Sequence, residues 1–200
     1  MLTTRAVPPK PPPPEVSISP LLAQHLPVFR RLTTLLLPIR YPESFFKQTI
    51  TLANIASVSR VALWGNEQKV IGAIRCVLEL VPAEPHTDKK QGWEALMART
   101  EADDHRKGSH RIYLATLFTL APYRSLGIAT ALLNEILDTA KRVSVAAEYS
   151  PVSYIYAHVW EANDEALAWY TKNQFLEWGF VENYYPRLTP SGAKVLRRFV

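Results

Sequence analysis

From Arg111 to Leu120 the chain reads Arg-Ile-Tyr-Leu-Ala-Thr-Leu-Phe-Thr-Leu, a strand by residue type, and it breaks at Ala121-Pro122-Tyr123-Arg124-Ser125-Leu126-Gly127. Beyond the break, Ile128, Ala131, Leu132, Leu133, Ile136, Leu137 and Ala140 recur at helical spacing. Tyr154 to Trp160 is strand-like again. A strand, a helix and a second strand in succession make a right-handed crossover, so the strands at 110–120 and 154–160 are expected to lie parallel in one sheet. The class is therefore α/β or α+β with a mixed sheet. If the two strands are neighbours, alternation puts Tyr113, Ala115, Leu117 and Thr119 on one face of the first, and Tyr154, Tyr156, His158 and Trp160 on one face of the second. Tyr113 and His158 are then placed to meet across adjacent strands.

The rest of the chain frames this unit. Arg60 to Leu80 reads as two strands joined by a turn at Gly65-Asn66-Glu67-Gln68. Ser19-Pro20 looks like an N-cap followed by proline at the first helical position. The helix it predicts carries Leu21, Leu22, Leu32, Leu35 and Leu36, is interrupted at Pro27 and ends before Pro38. A second helix is expected from about Pro42 to Leu52, and Asn163 is expected to cap a helix reaching Lys172. Two segments stand apart. Val7 to Pro14 holds six prolines in eight residues, which predicts an extended, disordered tail over 1–18. Residues 82–109 are polar, mixed in charge and too long for an ordinary connection, so they read as an insertion, with a short helix around Trp93 to Arg99. Residues 19–200 are left as the folded domain.

Composition narrows the function. Two hundred residues with 48% apolar side chains suit one globular domain, and the longest apolar stretches, such as Ile112 to Pro122, fall short of the roughly 20 residues a membrane span needs. No membrane partner is expected. Cys76 is the single cysteine, and the first six residues lack the apolar core of a signal peptide, so a reducing cytoplasmic home, extending to the nucleus, is the expectation. His25, His86, His105, His110 and His158 show no zinc spacing, no metal is expected, and no Gly-x-Ser-x-Gly elbow occurs. The charge balance, 23 − 18 = +5, suits a ribosomal or nucleic-acid neighbour, a phosphorylated cofactor, or no anionic partner at all.

The loop before the helix carries the chemistry. Amide donors at a helix start, with the positive end of its dipole, make an anion site. Gly127 and Ala129 would let a diphosphate approach the main chain closely. Small residues after a strand also occur for packing alone. What narrows the choice is Arg124, two spacers, Gly127, one spacer and Ala129, after an apolar strand and opening an amphipathic helix. The spacing is neither the Walker nor the dinucleotide pattern.

The Arg-x-x-Gly-x-Ala run resembles the acetyl-coenzyme A signature of the GNAT acetyltransferases. Arg111-Ile112-Tyr113, Leu120-Ala121-Pro122-Tyr123-Arg124, Leu126-Gly127-Ile128, Tyr156-Ala157-His158-Val159 and Asn183-Tyr184-Tyr185 closely resemble the San-type N-alpha-acetyltransferases, the catalytic subunits of NatE. Leu35-Leu36-Leu37-Pro38-Ile39-Arg40-Tyr41 looks like their early substrate loop. The likeness covers about residues 20 to 81 and 110 to 200.

It implies a GNAT fold, a mostly antiparallel mixed sheet with a splayed parallel strand pair, flanked by helices. It implies transfer of acetyl from acetyl-CoA to protein N-termini, preferably Met followed by a hydrophobic residue. Tyr113 and His158 would jointly hold a water that relays the amine proton. Main-chain donors near Leu117 and Phe118 would meet the developing oxyanion. Cofactor contacts would fall on Leu117, Phe118, Thr119, Arg124, Ser125, Leu126, Gly127, Ile128, Ala129, Thr130, Asn163 and Tyr170. Peptide contacts would fall on Leu37, Pro38, Ile39, Tyr41, Ala115, Tyr184 and Tyr185. Nascent N-termini and the auxiliary and catalytic subunits of the NatA complex, with ribosome contact through them, are the implied partners. Two positions depart from the resemblance. Leu37 stands where Phe is expected, and Gln174 occupies a glycine position, so Gln174 should be strained or its turn different.

The dull readings run alongside. A strand His or Tyr is ordinarily structural, Pro38 also ends a helix, and Asn163 is also a natural cap. As a whole, the alternative to an active enzyme is a silent coenzyme-binding subunit that stabilises NatA. An acetyltransferase for internal lysines or small amines is a third reading.

Overall fold

The computed structural model describes residues 10–81, 109–145 and 151–200. Strand β1 (Val16–Pro20) leads through a 3-10 turn (Ala23–His25) into α1 (Leu26–Leu36), α2 (Glu43–Thr51) and the single helical turn α3 (Ala53–Ala56). The hairpin β2 (Arg60–Trp64) and β3 (Lys69–Leu80) follows, then β4 (His110–Thr119), α4 (Ile128–Val145), β5 (Val152–Trp160), α5 (Asp164–Lys172), β6 (Leu176–Val181) and β7 (Ala193–Phe199). The seven strands form one sheet in the order β1-β2-β3-β4-β5-β7-β6, in which only β4 and β5 are parallel. Among the described residues no helix is long and apolar enough to cross a membrane. The postulated insertion, apart from Ser109, and its helix near Trp93 lie outside the described residues.

Alternation along the strands divides the core in two. Ala62, Ile71, Ile74, Cys76, Ile112, Leu114, Ile155 and Ala157 face α4 and α5, where they pack on Leu132, Leu133, Ile136 and Tyr170. Val61, Leu63, Val70, Ala73 and Phe118 face the other way, onto Phe29 of α1 and Phe46 of α2.

The expected helix start at Ser19-Pro20 is corrected. Both residues belong to β1, paired with Val61 and Arg60, and residues 16–18, assigned by composition to the tail, open that strand. Proline here sits on an edge strand, where its missing donor costs no ladder bond. Pro27 does not kink a helix either; it occupies the first turn of α1, where its missing N–H has no intrahelical partner to lose.

The expected face alternation in β4 also fails, at one residue. Arg75 opposes Thr116 while Cys76 opposes Leu114, so Ala115 is left over as a β-bulge. Past it the faces exchange. Phe118 turns onto Phe29, ring centroids 6.0 Å apart, while Leu117 packs on the α4 side. Tyr113 therefore does not share a face with Leu117.

Candidate active site

β4 and β5 pair only from His110–Val152 to Tyr113–Tyr156. Past Tyr113 the strands part, and the alternate β4 amides that would have met β5 have no strand partner. A cleft opens at that point, and aromatic side chains crowd its mouth. Tyr113 stacks on Tyr156 with centroids 5.0 Å apart and meets the His158 ring edge-on at 5.6 Å. The meeting of Tyr113 and His158 expected from alternation is thus realised, because the register shift between β4 and β5 falls at His110/Arg111, ahead of both, and the bulge at Ala115 lies beyond Tyr113.

Tyr184 completes this group. Its ring lies parallel to His158 at 4.4 Å, and its hydroxyl is 2.9 Å from that of Tyr113. Tyr185 donates to the carbonyl of His158 at 3.1 Å. The β6–β7 connection carrying both tyrosines is pinned to the end of β5: Trp160 Nε1 donates to Pro190 O at 2.6 Å, and Gly192 N to the Glu161 carboxylate at 2.7 Å. On the opposite wall, Tyr41 donates to Ala115 O at 3.4 Å and stacks on Phe45 at 4.0 Å. Leu37 and Ile39, half-buried, and Pro38, exposed, form the α1–α2 connection beside it.

Burial sets the proton affinities. It lowers the His158 imidazole from 6.5 to about 4, so the ring is neutral at physiological pH. Burial, reinforced by Tyr184, raises the Tyr113 phenol well above its usual value, and burial raises Tyr41 to about 12. The site is therefore built from neutral donors and acceptors.

A charged pair that the sequence reading missed lies behind it. Glu79 Oε2 accepts from Tyr156 OH at 2.8 Å and from Arg111 Nε at 2.9 Å. Arg75 and Glu79, two charged residues four apart within the otherwise apolar run from Val70 to Leu80, were the available signal: that spacing puts both on one face.

The loop after β4 has the donor set for an anion. Ser125 (φ 60°) and Gly127 (φ 79°) are both left-handed and turn the chain into α4. The first amide here to reach a backbone acceptor is that of Ala131, on Gly127 O. Among the described residues the amides from Ser125 to Thr130 make no such bond. Six unspent donors at the start of an 18-residue helix fit a diphosphate. Arg124 beside them is 52% exposed, with only a long 3.9 Å contact to Glu165. One neighbour was not foreseen. A Cβ on Gly127 would strike the carbonyl of Lys10, so Lys10 and Pro11 lie directly on this loop.

Farther along, Asn163 caps α5 as expected, its Oδ1 accepting from Ala166 N at 3.1 Å. Tyr170 is buried against Trp169 and Phe175. Gln174 adopts φ 66°, the strained left-handed turn anticipated from its glycine-like position.

Comparison with known proteins agrees with this architecture. Residues 28–175 match the acetyltransferase (GNAT) family. N-alpha-acetyltransferase 50 of Danio rerio is 27% identical over 169 residues, covering 84% of this chain and 79% of that protein. The probable N-acetyltransferase san of Drosophila melanogaster is 24% identical, over 84% of this chain and 72% of its own length. Among solved structures, Arabidopsis thaliana Naa50 in complex with the bisubstrate analogue CoA-Ac-MVNAL superposes with a TM-score of 0.67 at 27% identity, over 92% of this chain and 98% of that one. A match spanning most of the chain, on a seven-stranded sheet splayed at its parallel pair, makes this protein a member of the GNAT acetyltransferase family and a homologue of the N-alpha-acetyltransferases.

Proposed function

We propose that this protein transfers acetyl from acetyl-CoA to the α-amine of protein N-termini, preferably Met followed by a hydrophobic residue. The observation that carries the reading is the convergence of Tyr113, His158 and Tyr184 at the point where β4 leaves β5. When bound, acetyl-CoA supplies an activated acetyl group as a thioester.

The chain's own residues do the rest. The amides of Ser125 to Thr130, with Arg124, hold the diphosphate, and Asn163 and Tyr170 flank the pantetheine arm. The β4 edge from Leu117 to Thr119 offers main-chain donors to the carbonyl that must be polarised. The acceptor peptide enters between the Leu37-Pro38-Ile39-Tyr41 segment, Ala115, and the Tyr184-Tyr185 pair. Its amine passes a proton, through a water held by the Tyr113 phenol, to a nitrogen of the neutral His158 imidazole. A ring whose proton affinity has been lowered by burial remains an acceptor throughout the neutral range.

The same reading divides the chain into a proline-rich leader that ends where β1 begins at Val16 and an acetyltransferase domain carrying an insertion at about 82–109. It has the protein working in the cytoplasm, and also the nucleus, docked on the NatA subunits where nascent chains leave the ribosome. The net charge of +5 supports that neighbourhood. Incubating the purified protein with acetyl-CoA and a Met-Leu peptide tests the assignment. Acetylated peptide is the expected product. Coenzyme binding without peptide acetylation would favour a silent NatA-stabilising subunit instead, and faster turnover of internal lysines would favour the third reading.

A further inference from the structure

Arg75 is 3% exposed on the face of β3 that carries Tyr113 on the neighbouring strand, and it adjoins the bulge that frees Ala115. Among the described residues no carboxylate pairs with it. Burying a cation without an anion is costly, so the groups that offset the cost are informative. There are two. Nε donates to Thr49 Oγ1 of α2 at 2.8 Å, and the guanidinium carbon lies 3.8 Å from the centroid of the Phe45 ring. Thr49 in turn donates to the carbonyl of Phe45 at 2.8 Å.

The other partner of Phe45 is Tyr41, at 4.0 Å and 22° from parallel. Two groups this close to one ring centroid occupy opposite faces, so Arg75, Phe45 and Tyr41 form a three-layer stack. That stack runs from the sheet floor to the wall of the cleft, and the Tyr41 hydroxyl ties its far end back to Ala115 O. Burial lowers the guanidinium to about 10, which leaves it charged at neutral pH, with Tyr41 and Tyr113 among its electrostatic neighbours.

We propose that Arg75 is a positioning residue for the acceptor peptide: acting through Phe45, it sets the plane and depth of Tyr41 without touching substrate. The proposal rests on the reading of Tyr41 as part of the peptide entrance.

The test compares Arg75→Met, Phe45→Leu and Arg60→Met with the full-length wild type. Arg60 is a suitable control, because it is 8% exposed and bonded to Thr139 and Glu135 on α4, away from the cleft. Arg75→Met and Phe45→Leu are each expected to raise the KM for a Met-Leu peptide about tenfold while kcat and the KM for acetyl-CoA stay within about twofold. Arg60→Met should lower thermal stability and leave that split unchanged. Met-Asp and Met-Leu peptides should suffer alike from Arg75→Met.

A peptide KM unmoved in folded Arg75→Met overturns the proposal, as does a rise in both KM values together. A loss confined to Met-Asp peptides does the same, since the guanidinium would then touch the acceptor. If Arg75→Met does not fold, Phe45→Leu carries the test, because it breaks the stack at its middle and keeps the charge. Hydrogen–deuterium exchange gives a readout independent of the acceptor. Faster exchange of residues 37–45 in Arg75→Met, with β4 and β5 unchanged, is expected, and equal exchange overturns the idea. Inactivity of the wild type on Met-Leu peptides would sink the functional reading instead and leave the exchange result to judge Arg75.

Discussion

Tyr184 lies flat on the His158 imidazole, 4.4 Å away and 8° from parallel, while its hydroxyl contacts that of Tyr113 at 2.9 Å. A single side chain from the β6–β7 connection thus touches both groups proposed for proton transfer. Tyr113→Phe and His158→Ala are each expected to slow turnover by about a hundredfold with little loss of coenzyme affinity, as acid–base groups do. Tyr184→Phe keeps the stack and removes only the hydroxyl, so a fall of about three- to tenfold is expected. Steady-state rates on a Met-Leu peptide decide, and wild-type rates for Tyr113→Phe and His158→Ala would remove both residues from the mechanism.

The buried imidazole has a pH signature. His158 titrates near 4 in the folded chain and near 6.5 once unfolded, so between those values the unfolded chain binds more protons. Stability should therefore hold above about pH 6.5 and decline as pH falls toward 4. His25, also lowered by burial, adds to the same slope. Urea midpoints across this range should flatten in His158→Gln. Activity should instead follow the acceptor amine, losing rate below its pKa of about 8. An activity limb at 6.5 that disappears in His158→Gln would contradict a neutral, buried ring.

Gln174 holds φ 66° at the end of α5, where its amide donates to Thr171 O. Glycine adopts this conformation without the Cβ penalty and keeps the main-chain bond. Gln174→Gly should raise the unfolding free energy by about 0.5–1 kcal/mol, read from denaturant midpoints. A lower midpoint would mean that the glutamine side chain contributes more than its backbone strain costs.

Gly127 is constrained twice, by φ 79° and by the Lys10 carbonyl on its open face. Gly127→Ala should destabilise by more than the roughly 1 kcal/mol of the left-handed conformation alone. Deleting residues 1–11 should recover the excess, because only the steric part depends on the leader. Gly127→Asp should abolish coenzyme binding measured by calorimetry, through repulsion as well as bulk. Unchanged affinity would remove the loop as the anion site.

Periodicity carried far along this chain. The β2–β3 hairpin, the helix from Ile128 and the Asn163 cap follow from local pattern, since each depends on neighbours in sequence, and the parallel β4–β5 pair follows from the handedness of a strand–helix–strand crossover. The failures have physical causes. Pro20 and Pro27 suit a helix start and a kink by type, yet an edge strand and a first turn accept proline just as readily. The bulge at Ala115 has no local sequence signal, because it is fixed by how β3 and β4 come into register. The partners of Tyr184 and Arg75 come from segments 71 and 26 residues away, and neither periodicity nor the crossover rule links those segments.

The resting place of Lys10 matters for anyone preparing this enzyme. Whatever is joined ahead of that lysine, whether an affinity handle, a protease scar or a reporter, is tethered at the doorway through which the nucleotide portion of the acetyl donor would pass. Batches that differ only in their leader are expected to disagree in their affinity for the donor, and the leader should be fixed before such values are compared.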